Sequence, residues 1–403
     1  MQKQMKEVEE YIKKYNEKVT TSNAQQAVDD FITNYDNWKK IVGYMVEGKD
    51  GEREYGTVLI IFSVAISEVN SITETNIDIL VSELKEYEQK VKYLFEIKSA
   101  LYCNLGICWH KLGLVHNKTA IEAFKQHLFY QFTLSNHTSY RELTCYSFRN
   151  CSKFLFQSLA NSTLNLSSPK VFNDIFDCPV MELMNNDDDI SKLVREAYLS
   201  GVKVACFVKN EKLPYMNDSQ DDLIRDDKKN ENDKKEYLNE LMWAHYADSH
   251  RGICIKYKFP SDITTSAGEN SNYVSYFKDV EYSSDLEKFS KQKSINMKDA
   301  FFAKGTSWKY ENELRLLYYN PTDNNSFVSL PILNCIEAVY FGVKCPDQDK
   351  QAIREILKNR KCVSYKEQRI DGVMKKIKNE KDIEFYQMNM DDKVFGTIKE
   401  VKI

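Results

Sequence analysis

The chain has 403 residues, 42% of them hydrophobic and 12% aromatic, enough for the packed cores of two or three domains. Its net charge is −4, with acidic and basic residues mixed and no basic block, so composition gives nucleic-acid binding no support. The ten cysteines include no Cys-x-x-Cys and the six histidines show no ligand spacing with them, which argues for reduced core thiols and against a zinc site.

The opening stretch, "MQKQMKEVEEYIKKYNEK", is charged and lacks the apolar centre of a signal peptide. The most apolar window, "GTVLIIFSVAIS", is too short for a bilayer and reads as a buried helix. A soluble, cytoplasmic protein without a membrane partner is expected. No proline precedes Pro169, which favours helices in the first part of the chain. An amphipathic segment runs from about Ala27 to Val46, and Gly48, Gly51 and Gly56 mark a loop before the helix around Ile60. Leu80, Leu84, Tyr87, Val91, Leu94, Leu101, Leu105, Cys108 and Leu112 form an apolar helical stripe, broken near Lys98 to Leu101. In residues 100–128, Leu105-Gly106, Trp109, Ala120 and Phe124 resemble a tetratricopeptide repeat, with an ordinary helical hairpin as the alternative. Residues 1–143 are expected to form an α-helical interaction or regulatory domain that binds a protein partner.

From residue 144 the pattern changes to short alternating segments broken by Pro, Gly and Asn-Asp. Strands are expected at 162–169, 202–208, 252–259 and 336–342, and a helix after Pro346. Residues 144–403 therefore read as an α+β domain. Within it, 209–240 is about half charged and nearly free of aliphatics, and reads as a mobile insertion, either a solvated loop or a lid.

Four stretches of this half mix aromatic and functional side chains. The first ends in Arg149, and the second sets Asn173, Asp174 and Asp177 beside Phe172. The third carries Trp243, His245, Tyr246 and His250. The fourth, "AKGTSWKYENELRLL", carries Lys304, Trp308, Glu311, Glu313 and Arg315. Its alternation from 307 to 317 reads as a strand, with Lys309, Glu311, Glu313 and Arg315 on one face. That face is either solvated or lines a cleft. Likewise, Asn173-Asp174 is either a turn or part of a site, and His245 either a core or a site residue.

These stretches, in this order, resemble the bacterial domain-of-unknown-function family 2971. The matching residues are Tyr146 to Arg149, Leu164 to Asp177, Cys206-Phe207, Met242 to Tyr257, Lys304 to Arg315 and Val339 to Gly342. The resemblance spans roughly residues 145–365. Ile175 and Val208 depart from the family's usual proline and serine. The motif layout is also similar to that of ADP-ribosyltransferases, whose early Arg, middle His/Tyr motif and late Glu-x-Glu correspond to Arg149, His245-Tyr246 and Glu311-x-Glu313. The resemblance implies an enzyme that consumes NAD as substrate without a metal, with Glu313, Glu311, Tyr246, His245 and Arg149 catalytic. Phe172, Asn173, Asp174, Asp177, Trp243, Lys304, Trp308 and Arg315 would line the substrate site. Glu313 would grip the ribose, Glu311 activate the acceptor, Arg149 hold the pyrophosphate, and Tyr246 or Trp243 stack on nicotinamide. The acceptor is left open, a nucleic acid being the less expected one, and the setting would be that of a toxin or defence effector. Two other classes stay open. One is a non-catalytic nucleotide- or protein-binding module. The other is a metal-dependent hydrolase or nuclease using Asp174, Asp177, Glu311 and Glu313.

Overall fold

A computed structural model describes residues 24–33, 49–69, 72–91, 93–135, 142–172, 177–178, 188–209, 238–260, 272–284, 297–370, 373–394 and 396–403. The charged opening stretch, much of the 27–46 segment, Asn173-Asp174 and nearly all of the 209–240 insertion lie outside the described residues. No described helix is long and apolar enough to cross a membrane.

The proline-free half is helical. Helices α1 (Ala24–Thr33), α2 (Lys49–Glu68), α3 (Glu74–Lys90), α4 (Phe95–Leu112) and α5 (Asn117–Ser135) follow one another. Thr73 caps α3 by accepting from the Asn76 amide at 3.3 Å. The apolar stripe buries Leu80, Leu84 and Tyr87 of α3 and Leu101, Leu105 and Cys108 of α4 against Leu59, Phe62 and Ile66 of α2. Two expectations are corrected. The loop read at Gly51 and Gly56 is part of α2: a Cβ on Gly56 would lie 2.5 Å from Ile97 Cγ2, so this glycine serves close helix packing rather than a turn. The stripe breaks at 91–94, where Leu94 adopts a left-handed conformation (φ 62°), rather than at 98–101. The 100–128 hairpin forms as α4–α5, with Gly106 lying under the Phe124 ring. The Trp109 ring lies tilted against His116 (5.3 Å) and His110 Nδ1 bonds Asn117 Oδ1 (3.0 Å), both packing roles.

Buried Glu83 gives this half a pH signature. Tyr55 Oη donates to its carboxylate at 2.7 Å, but burial pushes the carboxyl up to about 7. The folded chain therefore keeps a proton that the unfolded chain releases. The resulting stability is present below about pH 4.5 and is lost as pH rises through about 7, on the order of 3 kcal/mol at most. Denaturant melts of Glu83→Gln should show a flatter profile across this window and a more stable chain than the parent at about pH 8.

The second half is a mixed sheet flanked by helices, as the α+β reading expects. Its strands in chain order are β1 (Glu142–Arg149), β2 (Thr163–Ser167), β3 (Val202–Lys209), β4 (Ile253–Pro260), β5 (Val274–Asp279), β6 (Glu281–Tyr282), β7 (Ala303–Lys304) and β8 (Glu313–Tyr319). They continue with β9 (Phe327–Pro331), β10 (Ile336–Phe341), β11 (Lys361–Ile370), β12 (Val373–Asp382), β13 (Glu384–Met390) and β14 (Ile398–Lys402). The helices here are α6 (Lys153–Asn161), α7 (Asp189–Gly201), α8 (Glu240–Tyr246) and α9 (Asp347–Leu357). The main sheet runs β14-β13-β10-β4-β1-β3-β2-β9, with β8 pairing β3 and β5 off that path. β11 and β12 form a separate ribbon, and β6 and β7 a short parallel pair.

The registers open the sheet at one place. β1 pairs β4 from Glu142 to Arg149, yet meets β3 only at Cys145↔Lys209 and Tyr146↔Val208. β2 meets β3 only at Ser167↔Val204, while β3 pairs β8 over seven positions. The last three residues of β1 thus diverge from β3, and a gap opens beside Ser147, Phe148 and Arg149. Helix α5 packs directly on the sheet. Phe132 lies 4.8 Å from the Tyr319 ring, and Tyr319 Oη donates to the Lys125 carbonyl at 2.9 Å.

Candidate functional site

The gap between β1 and β3 continues as a cleft of about 490 Å³. Helix α8 borders it, capped by Asn239, whose side chain accepts from the Met242 amide (3.3 Å). Its inward face buries Met242 and Trp243 and leaves His245 and Tyr246 to line the cleft. After α8 the chain turns through Asp248, Ser249 and His250, all at positive φ, to Gly252. A Cβ on Gly252 would stand 2.1 Å from the Arg149 carbonyl oxygen, so only glycine lets β4 start against the end of β1. Gly252→Ala should cost about 1–3 kcal/mol in a thermal melt and displace Arg149.

The strand expected over 307–317 is corrected. Residues Thr306–Glu311 form a 3₁₀ helix, Asn312 turns in the left-handed region (φ 44°), and the strand begins at Glu313. Asparagine tolerates that turn, and its Nδ2 donates to the Lys209 carbonyl at 2.9 Å. Trp308 and Tyr310 therefore do not share a strand face with Leu314 and Leu316. Glu311 and Glu313 meet all the same, because Lys304 of β7 stands between them. Its Nζ lies 2.7 Å from Glu311 Oε2, 3.2 Å from Glu313 Oε2 and 3.3 Å from Asp177 Oδ2.

Arg315 completes the network and is fully buried. Its Nε donates to Glu313 Oε1 (2.7 Å) and its Nη2 to Asp177 Oδ1 (2.5 Å) and Glu313 Oε2 (3.0 Å). Its Nη1 donates to the Phe301 carbonyl at 2.8 Å. Every residue of β8 is buried, so its charged positions are not a solvated face. Three carboxylates thus share two cations in a desolvated place, where each pairing is strong and each missing partner is costly.

The two glutamates differ. Burial would raise the Glu313 carboxyl, but Arg315 and Lys304 outweigh it and bring it down to about 2. Burial prevails at Glu311 and raises its carboxyl despite Lys304. Tyr246 Oη donates to Glu311 Oε1, and burial together with that bond raises the phenol. Arg149 lines the same cleft. Its Nε donates to Ser147 Oγ at 3.1 Å, and among the described residues it makes no ion pair. Trp308 lies over Lys304 (5.1 Å) and Phe172 beside Arg315 (5.9 Å).

The structure thus brings together Arg149, Phe172, Asp177, His245, Tyr246, Lys304, Trp308, Glu311 and Glu313, with Arg315 behind them. Trp243 is corrected: it is fully buried, edge-on to Phe148 (5.3 Å) and stacked near His250 (6.4 Å), and cannot stack on a ligand. Two participants escaped the sequence reading. The Cys206 side chain is exposed and lines the cleft, which corrects the view of it as a core cysteine; its place in the Cys206-Phe207 motif was the available signal. Tyr282 Oη accepts from the Glu313 amide at 2.8 Å, and no motif marks it.

A model of the family described as "Protein of unknown function (DUF2971)" matches residues 242–316. The match runs from Met242 in α8 to Leu316 in β8 and bears out, over that stretch, the family resemblance of the motifs. No curated protein and no solved structure gives a significant match to the chain.

Proposed function

We propose that the cleft belongs to an enzyme that cleaves the nicotinamide–ribose bond of NAD, as an ADP-ribosyltransferase or NAD glycohydrolase. The observation that carries this reading is the convergence of Glu311, Glu313, Tyr246 and Arg149, which makes no ion pair among the described residues, on one cleft. As the bond breaks, its electron pair leaves with neutral nicotinamide and positive charge develops on the ribose. Glu313, held as a carboxylate by Arg315 and Lys304, supplies the fixed negative charge that stabilises it. Glu311 takes the proton from the attacking water or acceptor hydroxyl, a role suited to a raised carboxyl. The products are nicotinamide, a proton and ADP-ribose, free or on the acceptor. Arg149 fits a diphosphate oxygen, and the exposed Tyr246 ring offers a face for nicotinamide. Such chemistry depletes an essential dinucleotide, which suits a toxin or defence effector governed by a partner of the helical half.

The test follows nicotinamide release by purified protein beside folded Glu311→Gln and Glu313→Gln variants. Release by the parent and its loss in the variants is the expected result. No release, with or without protein or nucleic-acid acceptors, would falsify the reading. A second reading has its own support: Arg315 and Lys304 engage both Glu313 oxygens, as in a cleft that binds a nucleotide without turnover. Saturable NAD binding without nicotinamide release would establish it. The metal-dependent reading has Asp177, Glu311 and Glu313 close together, but Lys304 Nζ stands at their centre, where the metal would have to lie. EDTA should leave the rate unchanged.

A further inference from the structure

A second cleft, of about 650 Å³, adjoins the candidate site and shares Arg149 and Ser167 with it. One wall is α6, where Phe154, Gln157, Ser158 and Asn161 fall at helical spacing on one face. The other wall is the β2–β9 pair. Ser167 stands opposite Phe327 and Asn165 opposite Ser329, so these four lie on one face of the pair. Ser329 Oγ donates to Asn165 Oδ1 at 2.6 Å, which fixes that amide.

The chemistry of this lining is selective. Phe154 and Phe327 are each 61% exposed, an unusual position for phenylalanine unless something covers it. Gln157, Asn161 and Asn165 bring amides, which both donate and accept. Among the described residues no carboxylate lines the cleft, and the one cation lining it is Arg149, at the junction with the first cleft. Aromatic faces stack on a flat ring, amides read the edge of a base, and an arginine takes a phosphate.

Resting on the NAD reading above, we infer that the second cleft holds the adenosine end of the dinucleotide. The diphosphate then crosses at Arg149, and the nicotinamide riboside end lies against Glu311 and Glu313. The arrangement accounts for two cavities that meet at one arginine.

The probe is AMP, titrated calorimetrically into the full chain and into Phe327→Ala, Arg149→Ala and Glu311→Gln. AMP should bind the parent and Glu311→Gln alike, and about ten-fold more weakly to Phe327→Ala and to Arg149→Ala. The exposed Phe327 side chain can be removed without emptying the core, and circular dichroism checks the fold. No binding of AMP, or equal affinity in the parent and Phe327→Ala, overturns the inference. The enzyme reading fails separately. If nicotinamide is released and Phe327→Ala leaves KM for NAD unchanged, this inference falls and that reading stands. If none is released while AMP binding depends on Phe327 and Arg149, the cleft stands as a nucleotide site and the enzyme reading falls.

Discussion

A chain carrying Arg315→Met should lose roughly 3–5 kcal/mol of stability at neutral pH. Arg315 is buried on β8 with Glu313 and Asp177 as acceptors, and the variant leaves both carboxylates to Lys304. An uncompensated buried charge costs more than the missing bonds themselves. Adding Glu313→Gln should restore part of the loss, because the orphaned charge then disappears with its partner. The acid side reports on the same group. Glu313 is held down to about 2 from an ordinary 4.5, so it contributes stability above about pH 4.5 that fades as pH falls toward 2. In Arg315→Met that contribution shrinks, and the gap between parent and variant narrows at about pH 3. Urea melts at both pH values read this directly. Equal midpoints for parent and Arg315→Met at neutral pH would show that the network contributes nothing to the fold.

Glu311→Gln should lower nicotinamide release about 10²- to 10³-fold while leaving the KM for NAD near that of the parent, with a modest loss of stability because Lys304 loses one of its three charge partners. The amide keeps the shape of the side chain but cannot accept the proton of the attacking group. Because burial raises the Glu311 carboxyl, the parent's rate should climb with pH as that group ionises, at a pH above the ordinary carboxylate range. The variant should lack this limb. Tyr246 donates to Glu311 and so favours its ionised form; Tyr246→Phe should therefore move the limb to higher pH. Glu313→Gln should lose more stability, as well as rate, since Arg315 and Lys304 both depend on it. A Glu311→Gln enzyme as fast as the parent would remove Glu311 from the reaction.

The sequence shows some of this and hides the rest for identifiable reasons. Strands β2, β3, β4 and β10 are legible because short apolar or alternating runs end at turn residues, and α9 because Pro346 stands before it. The charge alternation at 307–317 misleads, since it carries across a 3₁₀ turn and a left-handed Asn312 with no strand beneath it. Glu311 and Glu313 meet through Lys304, seven and nine residues away, an ion pairing that periodicity does not encode. Trp243 shares a motif with Tyr246 but sits on the inward side of a seven-residue helix, and no alternation distinguishes the two. The gap that forms the cleft depends on where β1 stops pairing with β3, some sixty residues along the chain, which local patterns cannot give.

Strand β8 begins at Glu313 in the cleft and ends at Tyr319, whose hydroxyl reaches the backbone of α5. Six residue steps of extended chain span about 20 Å, and a fully buried central strand resists stretching. It therefore works as a stiff rod with a carboxylate at one end and a helix contact at the other. A force that tilts α5 arrives at Glu313 and Arg315 as a displacement, and a ligand that clamps Glu313 holds α5 in place. Hydrogen exchange in α5 should slow when the cleft is filled, although no ligand atom comes near it.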